Sequence, residues 1–209
     1  MEMRNELFNT ITEHLMFNEK PSDYLNRLFN SEDSKQWPFS MLRRLRDTEQ
    51  SKIHHPEGNV WNHTMLVLDE AATVREHSSD PKAFMWAALL HDIGKPDTTR
   101  IKGEKITSYN HDRVGADLSK EFLEAVTSEQ DFIVKVCLLV KYHMHMLYIL
   151  KDLPFSDKKG LISSVDRNDI ALLGYCDRLG RKAANRNQVM EEYRRFYSML
   201  ETMEKIYDI

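Results

Sequence analysis

The sequence predicts an all-α fold, and three observations support this prediction. Apolar residues recur at helical spacing along nearly the whole of the 209-residue chain. Glycine and proline are scarce, at 7 and 6 residues, which argues against a turn-rich all-β fold and against disorder. Hydrophobic residues make up 41% and charged residues 30% of the chain, which suits one soluble domain with its own core.

The sequence of the first part of the chain predicts three helices that have apolar faces and carry no chemical motif. Residues 2–19 carry apolar side chains at helical spacing, and Pro21 ends this pattern. Ser22 or Asp23 can cap a second helix, and a third surrounds Leu42. We expect these helices to pack on the main body of the protein.

The middle of the chain has the strongest helical signals. Residues 60–74 present one apolar face. Asp80 and Pro81 form a helix start, because an aspartate caps and a proline fits the first turn. The helix that follows is apolar on almost every side through residues 83–90, so we expect it to be central and to end near Gly94.

A small hairpin and four further helices complete the predicted order. Residues 98–109 contain RIKGEKIT, two β-prone runs around a Lys-Gly-Glu turn. Apolar faces then predict helices around Leu118, Val136 and Leu173, and an amphipathic C-terminal helix over residues 188–207.

Charge and composition exclude several kinds of partner. The net charge of −4 gives no case for an extended nucleic-acid or membrane surface. The longest uninterrupted apolar run, residues 83–90, is too short to span a bilayer, and the N-terminus lacks the apolar core of a signal peptide. Cys137 and Cys176 form no CxxC motif, so we expect a cytoplasmic protein.

Histidines are concentrated in one stretch of the chain. Eight of the nine lie between His54 and His145, which is less than half of the sequence. The pair His91-Asp92 follows the apolar central helix and offers an imidazole and a carboxylate, which can bind a metal ion. The pair alone is equally consistent with an exposed helix end.

Other histidines and an aspartate favour the metal site over the exposed helix end. His63, His111, His143 and Asp177 lie near the ends of other predicted helices, so several helices can bring nitrogen and oxygen ligands to one centre. Ligands of this type without cysteine suit Mn, Fe, Ni, Co, Zn or Mg.

In its sequence motifs the chain resembles the HD superfamily of metal-dependent phosphohydrolases. The order His63, His91-Asp92, Asp177 matches the H…HD…D signature. The blocks HHPEGNVWNHTMLVLD, ALLHDIGKP, NHDRVGA, VKYH and DRLGR look like the HD domain attached to bacterial tRNA nucleotidyltransferases, the CCA-adding enzymes.

The resemblance implies an HD-domain helical bundle and a set of metal ligands. His63, His91, Asp92 and Asp177 match the residues that hold a first divalent ion. His111 and His143 match positions that hold a second ion, with Asp92 as the bridge, or that contact the substrate phosphate. His145, two residues after His143, is a reserve ligand if the helix ends there.

The resemblance covers residues 53–181 and leaves out the nucleotidyltransferase domain of those enzymes. About 52 helical residues without a nucleotidyltransferase motif precede the match. We therefore expect a stand-alone HD protein, with residues 1–52 as a helical extension packed on the core and residues 53–209 as the HD domain.

Charged residues near the ligands are candidates for the chemistry. Asp92 is the expected bridging ligand and local base, and Lys95 can stabilise phosphate charge or, alternatively, offset a helix dipole. Arg178 and Arg181 can bind phosphate or form structural salt bridges. The resemblance places the HPEG block near the mouth of the site, so His55 or Glu57 can contact substrate or belong to a structural loop.

The predicted function is a metal-dependent phosphohydrolase that uses a metal-activated hydroxide. We expect a small phosphorylated substrate, a phosphomonoester or phosphodiester of a nucleotide or a nucleic-acid end. One or two divalent ions would be the cofactor. Two alternatives stay open: a di-iron oxygenase on the HD fold, and a regulatory module that binds a nucleotide without turnover.

Overall fold

The computed structural model describes residues 2–208 and confirms the all-α fold. The first helices are α1 (Glu2–Phe17), α2 (Pro21–Leu28), α3 (Phe39–Arg43), α4 (Val60–Val74), α5 (Pro81–Leu90) and α6 (Lys95–Thr98). The predicted hairpin is present as two antiparallel strands, β1 (Thr99–Lys102) and β2 (Lys105–Ser108). The remaining helices are α7 (His111–Glu124), α8 (Gln130–Tyr142), α9 (His145–Leu150), α10 (Lys158–Ser164), α11 (Arg167–Leu179) and α12 (Arg186–Tyr207).

Helix α5 is the centre of the fold because it is buried on every side. Residues 83–90 expose 1% of their surface or less, and helices α1, α4, α8 and α11 pack around them. The predicted end near Gly94 is wrong by about one turn. The helix ends at Leu90, residues 91–94 form a turn, and Pro96 then occupies the first turn of α6.

The N-terminal helices contact the main body through rings and hydrogen bonds. The ring of Phe8 on α1 stacks on Trp86 of α5 with 4.8 Å between centroids. The indole N–H of Trp86 donates to the hydroxyl of Thr12 at 3.0 Å, and the Ser22 hydroxyl on α2 donates to Asp69 of α4 at 2.7 Å. The division of the chain into an extension and a main domain stays a prediction, and its end residues 1 and 209 lie outside the described residues.

Gly94 allows α7 to approach the turn that follows α5. A Cβ atom at Gly94 would lie 2.2 Å from the backbone oxygen of His111 and 2.6 Å from the backbone nitrogen of Gly115. Because backbone atoms cannot move aside as a flexible side chain can, a larger residue would displace α7. The close contact places the first turn of α7 against His91 and Asp92.

A turn separates helices α8 and α9. It lies at His143 and His145, the two histidines between which the sequence leaves the choice of ligand open. Helix α8 ends at Tyr142, the chain turns at His143 and Met144, and α9 begins at His145. The backbone N–H of His143 bonds to the carbonyl of Val140, a tight i→i−3 turn. The two histidines therefore do not lie on one continuous helix.

One segment, Gln130–Leu150, is long and apolar enough to cross a membrane by length and composition alone. Half of its most apolar stretch is buried inside the protein, and α8 packs against α5 and α7. The core helix of a soluble protein has the same properties, so this segment is weak evidence for a membrane span.

Candidate metal centre

The structure brings together all six side chains that the sequence predicts as metal ligands. They lie at or near the ends of five helices: His63 on α4, His91 and Asp92 after α5, His111 on α7, His143 after α8, and Asp177 on α11. All are buried except Asp177, whose side chain is 14% exposed. The ends of helices that pack around α5 thus form one polar centre in an apolar core.

Asp92 lies in the middle of this centre, and its two oxygens face different histidines. Oδ2 lies 3.2 Å from Nε2 of His91 and 3.9 Å from Nε2 of His63. Oδ1 lies 3.4 Å from Nε2 of His111 and 3.8 Å from Nε2 of His143. The carboxylate of Asp92 therefore divides the ligands into two groups that share it.

Backbone carbonyls orient three of the imidazoles. Nδ1 of His91 lies 2.8 Å from the carbonyl oxygen of Ala88, and Nδ1 of His111 lies 2.6 Å from that of Ser108. Nδ1 of His143 lies 2.6 Å from the carbonyl oxygen three residues before it. Because a carbonyl oxygen only accepts hydrogen bonds, each Nδ1 carries the proton and each neutral ring presents the lone pair of Nε2 to the centre.

These lone pairs face one another, which is the arrangement that metal ions require. The Nε2 atoms of His111 and His143 lie 3.2 Å apart. Nε2 of His91 is buried without a hydrogen-bond partner among residues 2–208. The donor set fits divalent metal ions, because a cation removes the repulsion between converging acceptors. Two groups can each hold an ion: His63, His91 and Asp92 form one, and Asp92, His111 and His143 form the other.

Two carboxylates flank His63. Its Nε2 lies 2.9 Å from Oδ1 of Asp177, and its Nδ1 lies 3.1 Å from Oε1 of Glu57. A carboxylate that contacts the outer nitrogen of a metal-binding imidazole fixes the orientation of the ring and raises its basicity. Glu57 therefore occupies the position from which it can orient His63.

The two aspartates are charged at neutral pH. Burial alone would raise the pKa of Asp92, but the positive charge of Lys95 holds that pKa well below its ordinary value. Burial would also raise the pKa of Asp177, and Arg181 holds it well below its ordinary value. Both side chains are thus in the form that binds cations.

The histidines divide into two electrostatic classes. Burial, reinforced by the neighbouring His111, lowers the pKa of His143 to about 3, and burial also lowers the pKa of His111. His63 differs, because hydrogen bonds to Asp177 and Glu57 raise its pKa against the effect of burial. A metal ion or a proton can neutralise the negative charge around His63, whereas His111 and His143 are neutral.

The sequence comparisons agree with this geometry. The family model described as HD domain matches residues 60–173, which is more than half of the chain. This chain belongs to the HD domain family. Of the six candidate ligands, the matched range contains all except Asp177.

Curated relatives of this HD domain carry the name "Multifunctional CCA protein". The protein of Actinobacillus pleuropneumoniae serotype 5b (strain L20) is 34% identical over 110 residues, which cover 51% of this chain and 26% of the relative. That of Hahella chejuensis (strain KCTC 2396) is 31% identical over 107 residues, which cover 51% and 24%. That of Pasteurella multocida (strain Pm70) is 30% identical over 139 residues, which cover 65% and 32%. The predicted resemblance is confirmed, and the matches span about a quarter to a third of the length of these relatives.

Lys95 lies beside the candidate metal centre. Its ammonium group is 2.7 Å from Oδ2 of Asp92 and donates a hydrogen bond to Oε1 of Gln50 at 2.6 Å. Lys95 is only 8% exposed and lines the cavity above the centre. Its ammonium thus contacts side chains at the centre, and it begins α6 rather than ending α5.

The two arginines near Asp177 point in different directions. A guanidinium nitrogen of Arg181 lies 3.5 Å from Oδ2 of Asp177, and Arg181 lines the cavity. Arg178 instead pairs with Glu192 of α12 at 2.8 Å and is not among the cavity residues within 2–208. Neighbouring residues on a helix point about 100° apart, whereas residues four apart share a face. The arrangement therefore removes the support for Arg178 as a substrate ligand.

The remaining candidate histidines have separate places. His55 lines the cavity and pairs through Nδ1 with Oε1 of Glu57 at 2.8 Å. Nε2 of His145 accepts a hydrogen bond from the backbone N–H of Asp157 at 3.1 Å. It is His143, and not His145, that faces Asp92.

The candidate metal centre opens into a cavity of about 770 Å³ that has two kinds of lining residue. The polar and cationic ones include His54, His55, Lys95 and Arg181. The apolar and aromatic ones include Ile106, Tyr109, Met144, Leu147, Tyr148, Leu153, Pro154 and Phe155. This lining suits a ligand that has a charged group and a ring or apolar group.

Sequence reasoning considered Glu57 only as a substrate or loop residue and missed its contact with His63, and it missed Gln50 altogether. Glu57 contacts both His55 and His63, and Gln50 holds Lys95. Glu57 belongs to the HPEG block, so its short distance from His55 along the chain was a usable signal. No spacing rule connects Gln50 with Lys95, which lies 45 residues away along the chain.

Proposed function

We propose that this chain is a metal-dependent phosphohydrolase that cleaves a phosphomonoester or phosphodiester of a nucleotide or a nucleic-acid end. The observation that carries the proposal is the pair of acceptor groups that share Asp92 at the floor of a cavity. Lys95 and Arg181 add positive charge beside them, which suits a phosphate.

The proposed ligands are His63, His91, Asp92, Asp177, His111 and His143. Divalent ions held there would neutralise phosphoryl oxygens and lower the pKa of water toward neutrality. Lys95 donates a hydrogen bond to a phosphoryl oxygen or to the leaving oxygen. Gln50 orients the ammonium group of Lys95 by accepting a hydrogen bond from it. Arg181 offers a planar guanidinium to another phosphoryl oxygen.

The role of Asp92 as a base loses support, while its role as a ligand gains it. A carboxylate whose pKa is held well below its ordinary value is a weak proton acceptor. The same low pKa keeps both oxygens charged and available to cations. We therefore assign Asp92 as the shared ligand.

The form of the cavity supports a nucleotide as the substrate. Its volume lies in the range of cavities that enclose a small ligand, and its apolar and aromatic lining residues can accept a base while the phosphate lies at the metal centre. Cys137 and Cys176 are free thiols, which agrees with the cytoplasmic location that is part of this proposal.

Hydrolysis assays with added Mn²⁺, Co²⁺, Ni²⁺ or Mg²⁺ test the proposal. The substrates are an aryl phosphate, a bis-aryl phosphate, nucleoside monophosphates and 2′,3′-cyclic nucleotides. We expect metal-dependent release of phosphate or ring opening, which is lost in Asp92→Ala and kept in Asp117→Ala, a change at an exposed position of α7. Inactivity with every metal and substrate would contradict the proposal.

A di-iron oxygenase is the second candidate, because two ligand groups with a shared carboxylate also suit two iron ions. The positive charge of Lys95 and Arg181 favours phosphate chemistry over it. Iron content after anaerobic purification, with oxygen consumption on addition of polyols or phosphonates, separates the two. A regulatory module without turnover predicts tight nucleotide binding and no product.

A further inference from the structure

One carboxylate beside the candidate metal centre has no hydrogen-bond or ion-pair partner among residues 2–208. Asp112 is the second residue of α7 and is only 5% exposed. Among residues 2–208, no hydrogen bond and no ion pair reaches its side chain. A buried carboxylate without donors is costly, so its position on a cavity wall indicates donors that arrive with a bound molecule.

Asp112 lies where two cavities meet. It lines the cavity of the metal centre and a smaller adjoining cavity of about 270 Å³. Arg113, Phe155 and Asp157 also line both cavities. Arg113 is exposed, and it follows Asp112 on the helix, so the two side chains leave α7 in directions about 100° apart.

Aromatic rings form the neighbouring wall. The ring of Tyr148 lies 5.7 Å from that of Phe155 and 5.4 Å from that of His145, measured between centroids. Phe155 is 60% exposed and lines the cavity, so its ring is accessible to a bound molecule. Tyr148 and Asp112 line the same cavity, and burial, followed by the negative charge of Asp112, raises the pKa of Tyr148 to about 12.

We propose that this end of the cavity binds a guanine base, whose phosphate then lies at the metal centre. The inference rests on the proposed phosphohydrolase function and names its substrate class. Guanine carries two adjacent N–H donors, on N1 and N2, and the two oxygens of Asp112 can accept both in a bidentate pair. The faces of Tyr148 and Phe155 supply stacking surface for the ring.

The other common bases match an unpaired carboxylate less well. Adenine and cytosine each present one amino donor beside a ring acceptor, and uracil places its single N–H between two carbonyls. Each of these bases would leave an oxygen of Asp112 facing an acceptor. Discrimination against a ligand that leaves a buried polar group unpaired is strong.

Binding of guanosine and inosine to the purified protein tests the proposal by calorimetry or NMR titration. Inosine keeps the ring and N1–H and lacks only the 2-amino group. We expect guanosine to bind at least about tenfold more tightly, the effect of one hydrogen bond to a charged group. Equal affinity for the two nucleosides would overturn the proposal, and this comparison needs no variant.

Substitutions assign the preference to named residues. Asp112→Asn lowers the affinity for guanosine to that for inosine, whereas Asp117→Asn, exposed on the same helix, leaves both affinities unchanged. Phe155→Ala lowers the affinity for guanosine and for inosine by the same factor, because stacking does not depend on the 2-amino group. A guanosine preference that persists in folded Asp112→Asn overturns the proposal. If that variant does not fold by circular dichroism, the wild-type comparison and Phe155→Ala decide.

Nucleosides carry no phosphate, so this binding test does not depend on turnover. A guanosine preference in a protein that hydrolyses no phosphate ester would support the base site and contradict the proposed function. Phosphate hydrolysis without any guanosine preference would contradict the base site and leave the proposed function standing.

Discussion

The Nε2 atoms of His111 and His143 lie 3.2 Å apart, and the Nδ1 of each ring lies 2.6 Å from a backbone carbonyl oxygen. Two neutral rings held in this way turn lone pairs toward each other. A pair of this kind is stable when a cation lies between the rings, so the geometry has direct consequences for metal binding and stability.

Metal binding should raise the thermal stability of the protein. We expect Mn²⁺, Co²⁺, Ni²⁺ or Zn²⁺ to raise Tm and EDTA to reverse the change, since an ion at 100 times its Kd adds about 2.7 kcal/mol. His143→Ala should lose one metal equivalent by mass spectrometry, and His77→Ala, at an exposed position, should lose none. A melting curve that no metal shifts would contradict the prediction.

Glu57→Gln should weaken metal binding without unfolding the protein. The side chain of Glu57 lies 3.1 Å from Nδ1 of His63, and loss of such an orienting carboxylate lowers metal affinity about 10- to 100-fold. Titration with a competing metal indicator measures the change. Glu121→Gln, at an exposed position of α7, is the matched control, and unchanged affinity in Glu57→Gln would refute the role.

Lys95→Met should lower kcat of phosphate hydrolysis and leave the bound metal in place. Removal of a donor that stabilises transition-state charge costs about 10²- to 10³-fold in kcat. Gln50→Ala should give a smaller loss, because it frees the ammonium group without removing it. Lys102→Met, on the exposed hairpin, is the control. A Lys95→Met enzyme with wild-type kcat would show that Lys95 is structural.

Asp80, which lies away from the metal centre, should make the free energy of unfolding depend on pH. Its side chain caps α5 by accepting from the N–H of Ala83 and pairs with Lys135 at 2.7 Å. Burial alone would raise the pKa of Asp80, but Lys135 and the backbone bond lower it below its ordinary value. The unfolded chain then binds the proton more readily, so this contribution is complete above the ordinary pKa and is lost as pH falls through the folded pKa.

Urea unfolding of Asp80→Ala measures this effect. At pH 7 the variant should lose about 1 kcal/mol of unfolding free energy, the usual cost of a lost cap. The difference from wild type should shrink on acidification below the ordinary pKa of an aspartate. A difference that stays constant over that range would refute the assignment.

The positions of the six candidate ligands could be predicted because each follows or begins an apolar helical pattern. His91 and Asp92, for example, come directly after the most buried helix of the chain. Whether His143 or His145 faces the centre depends on where α8 ends. The tight turn that ends it is set by packing and leaves no mark such as glycine or proline.

Residues that act through tertiary contacts could not be predicted in the same way. Gln50 reaches Lys95 only because the loop before α4 folds over α6, and no periodic pattern describes that loop. Arg178 and Arg181 look alike in sequence, and only the end of α11 and the position of α12 decide which one faces the cavity.

The missing side chain of Gly94 sets how far apart the two halves of the metal centre stand. His91 and Asp92 come from one side of that contact and His111 from the other, and the two backbones meet where any Cβ would lie 2.2 Å from an oxygen. A residue with no functional group thus sets the distance between the candidate ligands on the two backbones. Even alanine at this position would widen the centre and pull His111 away from Asp92 while every ligand remained in the sequence.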